Sequence, residues 1–258
     1  MTEPSSPAGI VTAALLVIGD EILSGRTKDK NIGFIADHLT LIGIQLLEIR
    51  IVADSDAEIV GAVNALRARY DYLFTTGGIG PTHDDITADA VAHAFGVEIG
   101  IDPRAVALMQ PHYEERGLEF TAARMRMARI PNGAELIDNP VSKAPGFMLT
   151  NTVVMAGVPH IMQAMLLAVT PRLRTGRKMN SATITVMRPE SEIAQVLEET
   201  QKDFPAVAMG SYPFGDMGHY GANLVLRSID EEALSRARST LRARLVALGF
   251  KAEILQSL

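Results

Sequence analysis

The stretch TTGGIGPTHDDIT, Thr75 to Thr87, restricts the fold more than any other part of the chain. Before the glycines, Tyr72-Leu73-Phe74-Thr75-Thr76 is rich in aromatic and β-branched residues, which suit a buried strand. Gly77, Gly78 and Gly80 open backbone angles closed to other residues and let a ligand approach the main chain without meeting a Cβ. Pro81 fixes one φ angle. Asp84, Asp85 or Thr87 is placed to cap a helix whose apolar positions Ile86, Ala90, Val91, Ala94 and Phe95 recur at helical spacing. Strand, glycine loop and helix start in this order predict an anion site, because free amides and the positive end of the helix dipole point at one spot.

Two adjacent carboxylates repel a phosphate unless a cation lies between them. Asp84 and Asp85 therefore either only cap the helix or hold a hard ion such as Mg²⁺, which prefers carboxylate, phosphate and water oxygens. On the second reading Asp84 and Asp85 are both catalytic residues and metal ligands. Thr76, Gly77, Gly78, Gly80, Pro81, Thr82 and Thr87 then surround a nucleotide or pyrophosphate. His83 beside them is either a proton carrier or an incidental loop residue.

The rest of the chain supplies the surrounding layers. The apolar run from Ile10 to Ile18 reads as a first buried strand, followed by the loop GDEILSG (19–25) and a helix over 31–41 with Ile32, Ile35, Leu39 and Ile42 on one face. Asp20 and Glu21 stand where open parallel α/β sheets bind ligands, either as solvated loop residues or as two more carboxylates for the same ion. A strand over 44–52 and a helix capped by Asp54, Ser55 or Asp56, with Ile59, Val63 and Leu66 inward, lead to the central strand. Strands alternating with amphipathic helices predict an open, mostly parallel sheet with helices on both faces.

Past Phe95, helices are expected over 103–116 and 121–129, with Met125 and Met127 as core filler and Arg124, Arg126 and Arg129 as a solvated face. The segment around Asn139, Pro140, Lys143, Pro145 and Gly146 is too dense in Pro and Gly for a helix and reads as a shaped loop. Lys143 is either the local cation for a phosphate or an exposed loop lysine. A strand over 147–156 and a helix over 160–170 complete a domain spanning 11–172, after a polar tail over 1–10. Residues 173–180 form a basic linker. From 181 to 258 the order β-α-β-β-α-β predicts a small split βαβ α+β domain, in which Gly215-Asp216-Met217-Gly218 reads as a hairpin turn.

Composition narrows the function further. With only 5% aromatic residues and no Trp, the core must be aliphatic and methionine-rich, as an α/β layer structure allows. A net charge of −6 gives no general attraction to nucleic acid or an anionic membrane. The absence of cysteine excludes disulfides, thiolate zinc sites and a Cys nucleophile. The N-terminus lacks the cationic start of a signal peptide, and no apolar run reaches membrane length, so a cytoplasmic protein is expected. No Walker lysine loop, H-E-x-x-H or G-x-S-x-G occurs.

The central stretch strongly resembles the signature of the MoaB/MogA-type molybdopterin-binding domain, most closely its version in CinA-like (competence/damage-inducible) proteins, GG-x-GPT-x-DD-x-T. Gly77, Gly78, Gly80, Pro81, Thr82, Asp84, Asp85 and Thr87 carry the match. It extends to Gly19-Asp20-Glu21-Ile22-Leu23, Gly25, Asn31, Asn139-Pro140, Ala144-Pro145-Gly146-Phe147 and Gly157-Val158-Pro159. The small domain is similar to the KH-like second domain of that group, including Gly210-Ser211-Tyr212-Pro213. Ala156 and His160 depart from the group's Pro and acid around Gly-Val-Pro and are poor candidates for chemistry. The chain ends at Leu258, so the group's C-terminal deamidase activity is not transferred.

The resemblance implies a ligand site that includes Ser24, Asn31, Lys143, Pro145 and Gly146, and metal contacts from Asp20, Glu21, Asp84 and Asp85. It implies a metal-dependent hydrolase of a nucleoside diphosphate derivative such as ADP-ribose, with a divalent ion and K⁺ as cofactors. The alternatives are a molybdopterin-binding or adenylyl-transferring protein, and a nucleotide-binding module without turnover. A homo-oligomer is expected, with a dimer favoured.

Overall fold

Eight residues, VTAALLVI, make β1 (Val11–Ile18), a strand apolar on both sides because helices cover both faces of the sheet. Ala14, Leu16 and Ile18 enter one core and Ala13, Leu15 and Val17 the other. After α1 (Asp20–Leu23) and α2 (Asn31–Leu41), β2 (Ile44–Val52) pairs parallel to β1. α3 (Asp56–Arg67) leads to β3 (Tyr72–Thr76), parallel to β1 on its other side. α3 buries Ile59, Val63 and Leu66 against the first core, and α2 buries Ile35 and Leu39 against the second. The computed structural model describes residues 9–216 and 219–255, and the chain divides into two compact units, Met1–Arg177 and Lys178–Leu258.

α4 (Thr87–Phe95) follows the glycine loop, then β4 (Ile99–Ile101), α5 (Pro103–Glu114), α6 (Ala122–Met125), β5 (Arg129–Pro131) and β6 (Glu135–Ile137). β7 (Gly146–Leu149), β8 (Thr152–Met155) and α7 (Pro159–Val169) close the first unit. The six-stranded sheet has the order β2-β1-β3-β8-β7-β6. Its first four strands are parallel; β7 is antiparallel to β8, and β6, antiparallel to β7, points the same way as the first four, so the sheet is open and mostly parallel, as expected.

Several local expectations fail for physical reasons. The strand expected over 147–156 is a hairpin, because Thr150 takes a left-handed φ of 54° and the chain reverses at Asn151. Its apolar residues are the same in either arrangement, so hydropathy alone does not separate them. The helix expected over 121–129 ends at Met125; a 3₁₀ turn over 126–128 leads into β5, which pairs with β4. Arg124, Arg126 and Arg129 therefore do not share a solvated helix face. The loop GDEILSG contains the short α1. No side chain caps α3 or α4. Asp54 and Asp85 accept hydrogen bonds elsewhere, and the first amide of α4 is satisfied by the Gly78 carbonyl.

The second unit comprises β9 (Asn180–Val186), α8 (Glu190–Asp203), β10 (Ala208–Asp216), β11 (His219–Ser228), α9 (Glu231–Ala247) and β12 (Ala252–Leu255). Its antiparallel sheet, β10-β11-β9-β12, places the two outer strands of the chain order at the centre and edge as a split βαβ requires. Gly215 and Asp216 end β10, whereas Met217 and Gly218 of the expected hairpin turn lie outside the described residues. No helix among the described residues is long and apolar enough to cross a membrane.

Candidate functional site

The carboxyl ends of β1, β3 and β8 meet at the glycine loop. Gly77 donates its amide to the Met155 carbonyl, and Gly19 donates to Val52, so the turn after each strand is tied to the neighbouring one. Gly77 has φ +102°, and a Cβ there would collide with the Ile18 carbonyl oxygen. Gly78 has φ +65°, and a Cβ there would collide with the Thr87 hydroxyl. These two positions require glycine on both counts.

The loop roofs a cavity of about 560 Å³, within the range of small-molecule sites. Gly77, Gly78, Ile79, Gly80, Pro81 and Asp85 form one side. Glu21 and Thr27 come from the segment after β1, Asn139, Ser142 and Ala144 from the Pro-Gly loop, and Gly157 to Pro159 from the turn after β8. Tyr113, Met127, Ile161 and Met165 provide an apolar wall. The amides of Gly78, Ile79 and Gly80 have no acceptor among the described residues. Three unpaired donors beside an apolar wall suit a molecule with an anionic end and a ring.

A narrower recess shares Gly78, Ile79, Gly80 and Asp85 with this cavity and adds Asp89, Arg126, Arg129 and Pro145. Arg129 is neutralised by Asp89 at 2.5 Å. Arg126 Nε is buried with no hydrogen-bond partner. Arg126 thus brings a cationic side chain to the wall of this recess. Lys143 itself adopts φ 64°, donates its amide to the Asn139 carbonyl and is not among the residues lining the cavity.

The carboxylates fall into two groups. Asp85 Oδ2 accepts from the Thr82 amide at 2.8 Å and the Thr82 hydroxyl at 2.5 Å, which holds the loop closed. The same hydroxyl, with one proton to give, also lies close enough to Asp84 to hold that carboxyl below its ordinary range. Asp54 Oδ2 accepts the Asp20 amide at 2.9 Å. Burial pushes the Asp54 carboxyl up, and the charges of Asp20, Glu21 and Asp84 push it the same way. Asp54 thus marks where four acids share one field, a residue that sequence reading treated only as a helix cap.

A carboxyl raised in the folded state makes a contribution that is full below the unfolded pKa, near 4, and lost as pH rises through the folded value. Asp54→Asn is therefore expected to raise the midpoint of thermal unfolding at pH 7 by relieving repulsion. Asp54 is partly open to solvent, so the gain is held to below about 1 kcal/mol by screening. It should vanish at pH values below about 4, which melting curves of both proteins across pH check.

Other expected site residues lie around the loop and the cavity rim. Asn31 is buried and donates Nδ2 to the Gly157 carbonyl at 2.8 Å, fixing the cavity's far rim, while its Oδ1 has no partner. Thr76 and Thr87 are buried with unpartnered hydroxyls. Gly146 is packed against the Val154 carbonyl, and Ser24 is exposed and donates to the Glu21 carbonyl. Asn139, missed as a ligand-side residue, is buried and shapes the Pro-Gly loop by donating to Ser142 Oγ and the Ala144 carbonyl. Its place two residues before a Val-Ser pair was the available signal, since Asn there closes a turn on its own backbone.

Residues 14–175 match the family described as "Probable molybdopterin binding domain". The chain belongs to this family. Its similarity lies with the CinA-like members, as the signature implied. A CinA-like protein of Desulfosudis oleivorans is 36% identical over 209 residues, 77% of this chain and 51% of that relative, so the chain spans about half of its length. A protein of Aeropyrum pernix is 34% identical over 245 residues, covering 92% of this chain and 89% of its own. The solved structure of CinA from Thermoplasma acidophilum, a protein of unknown function, has a TM-score of 0.58 and 33% identity over 63% of this chain and 98% of its own. Residues 178–252 match a second family, "FAD synthase, middle domain". In this family member, then, the molybdopterin-binding-type fold carries the glycine loop, the cavity and the acids together.

Proposed function

We propose that the cavity binds a phosphorylated ring compound of the nucleotide or pterin class and that the protein hydrolyses its diphosphate bridge with the help of a divalent ion. The observation carrying this reading is the set of unpaired amides at Gly78, Ile79 and Gly80 beside the apolar wall of Tyr113, Met127, Ile161 and Met165. The amides grip phosphate oxygens, as backbone nests do, and the wall takes the ring.

The donor set suits a hard cation in one manner only. Among the described residues no group of three or more His, Asp or Glu could by itself hold a metal ion. A cage made wholly of protein is thus the wrong description. Mg²⁺ is commonly held by one or two carboxylates, with water and substrate phosphates completing its shell, and Asp84 or Asp85 with Asp20 or Glu21 supplies that number. When bound there, the ion would neutralise phosphate charge and acidify a bound water. Asp85 keeps the loop closed through Oδ2 and has Oδ1 uncommitted, which suits it to orient water or accept its proton. Arg126 stabilises the negative charge that grows as the bridge breaks.

Arg126→Met tests this division of labour. Hydrogen bonds to charged groups contribute about 1.5–3 kcal/mol, so affinity for ADP-ribose is expected to fall roughly 10- to 150-fold. Stability should change little, because Arg126 is half-buried and its side chain makes no hydrogen bond or ion pair with the described residues. Calorimetry and melting curves on the same samples read both effects.

The family description favours a second reading, binding of molybdopterin without hydrolysis. The purified protein is incubated with ADP-ribose and Mg²⁺, Mn²⁺ or Co²⁺, with and without K⁺, and AMP is measured by chromatography. Release of AMP supports hydrolysis. Binding of ADP-ribose with the ligand recovered intact under every condition overturns it, and tighter binding of molybdopterin would then favour the second reading.

A further inference from the structure

β2 is an edge strand: among the described residues it pairs only with β1. Edge strands are commonly blunted by lysine, by proline or by polar side chains, because an open ladder recruits another chain. β2 has no lysine and no proline, and beside the charged Glu48 and Arg50 it exposes apolar residues. Leu47, Ile49 and Ile51 are 58%, 42% and 40% exposed. Ile49 and Ile51 pair with Leu15 and Val17, which face the core beneath α2, so their side of the sheet continues an apolar surface past the last covered residue. On the other side of the strand stand Glu48 and Arg50, joined at 2.7 Å, with Tyr70 and Arg69 also donating to Glu48.

The sequence Leu47-Glu48-Ile49-Arg50-Ile51 reads alike from either end, apart from the reversal of charge. That property selects an occupant. A two-fold axis perpendicular to a sheet brings two copies of one strand together antiparallel and keeps each side chain on its own face. The faces match only if a residue stands opposite itself, and only three such centres fall among these charges. With Glu48 or Arg50 on the axis, like charges meet. With Ile49 on the axis, Glu48 faces Arg50 of the second copy, Arg50 faces its Glu48, and Leu47 faces its Ile51. Opposite charges and apolar residues directly across antiparallel strands are the pairs that stabilise a sheet, whereas like charges there destabilise it.

We propose that a second copy of this chain pairs along β2, antiparallel and centred on Ile49, so that one sheet runs through both copies. The irregularity between Leu46 and Glu48, opposite Ala13 and Ala14, lies at one end of this segment and leaves the run from Glu48 to Val52 in continuous register with β1. The proposal is independent of what the cavity binds.

The chain has no cysteine, so a single introduced thiol reports on geometry directly. Residues facing one another across an antiparallel pair have Cα atoms roughly 4.5–5.5 Å apart, within the span of a disulfide. Ile49→Cys, oxidised mildly in the full chain, is expected to form a covalent dimer on a non-reducing gel, whereas Leu167→Cys on the exposed side of α7 is not. Light scattering should give the wild type twice the chain mass of 27.8 kDa. Glu48→Arg should shift it to one chain mass, and Glu48→Arg with Arg50→Glu should restore the dimer, with melting curves confirming that each variant is folded. A folded wild type at one chain mass overturns the proposal. So does a dimer whose Ile49→Cys variant fails to cross-link.

Discussion

Gly77→Ala is expected to destabilise the first unit by about 2–5 kcal/mol, a large part of the total stability of a domain this size. The cost has two sources. The backbone at Gly77 is held at φ +102°, where a Cβ is strained, and the added carbon would meet the Ile18 carbonyl oxygen. That oxygen belongs to β1, which is paired on both sides and has little room to give way. Gly33→Ala is the matched control. Gly33 sits in α2 with nothing within 4 Å of the added carbon, and helix propensity there predicts a gain of about 0.8–1 kcal/mol. Urea unfolding of the three proteins checks the contrast. Equal effects of the two substitutions would mean that the loop does not hold the strand ends as described.

Asp85→Asn is expected to leave folding nearly intact and to lower AMP release from ADP-ribose by roughly 10²- to 10⁴-fold, the usual worth of a positioned proton acceptor. Asparagine keeps an oxygen that can accept from the Thr82 amide or hydroxyl, so loop closure survives. It has no carboxylate to offer an ion or a water. Loss of turnover together with a collapsed melting temperature would assign Asp85 to loop structure instead. Unchanged turnover would remove it from the chemistry.

The sequence was informative where a residue's chemistry admits one solution. Consecutive apolar residues from Val11 to Ile18, and the spacing of Ile59, Val63 and Leu66, dictate a covered strand and a helix packed on it, and the sheet forms as expected. The Gly77-Gly78 turn was legible for the same reason, since only glycine fits there. Where two arrangements bury the same side chains, the sequence was silent. The hairpin at Thr150 keeps Phe147, Val153 and Val154 as buried as one long strand would. The caps assigned to Asp54 and Asp85 were misjudged because a short acceptor near a helix start has several donors within reach. The tertiary fold gave Asp54 the Asp20 amide, which lies 34 residues away.

The place of Arg126 beside the glycine loop depends on contacts no local pattern carries. It sits among three arginines at near-helical spacing, which resembles a wet face, yet a 3₁₀ turn buries its Nε. Lys143 shows the converse case. A loop lysine beside Pro and Gly looks like a phosphate cation from its neighbours alone, whereas its left-handed backbone and its amide bond to the Asn139 carbonyl come from the folded loop.

Acids and loop amides acting together on a diphosphate through a cation are the core of the proposed function. Calorimetric titration of ADP-ribose into the wild type and into Asp84→Asn/Asp85→Asn, each with Mg²⁺ and then with EDTA, measures that dependence most directly. Binding by the wild type that is strong with Mg²⁺, weak with EDTA and weak in the double variant under both conditions is the expected result. Equal affinity in all four titrations would contradict it.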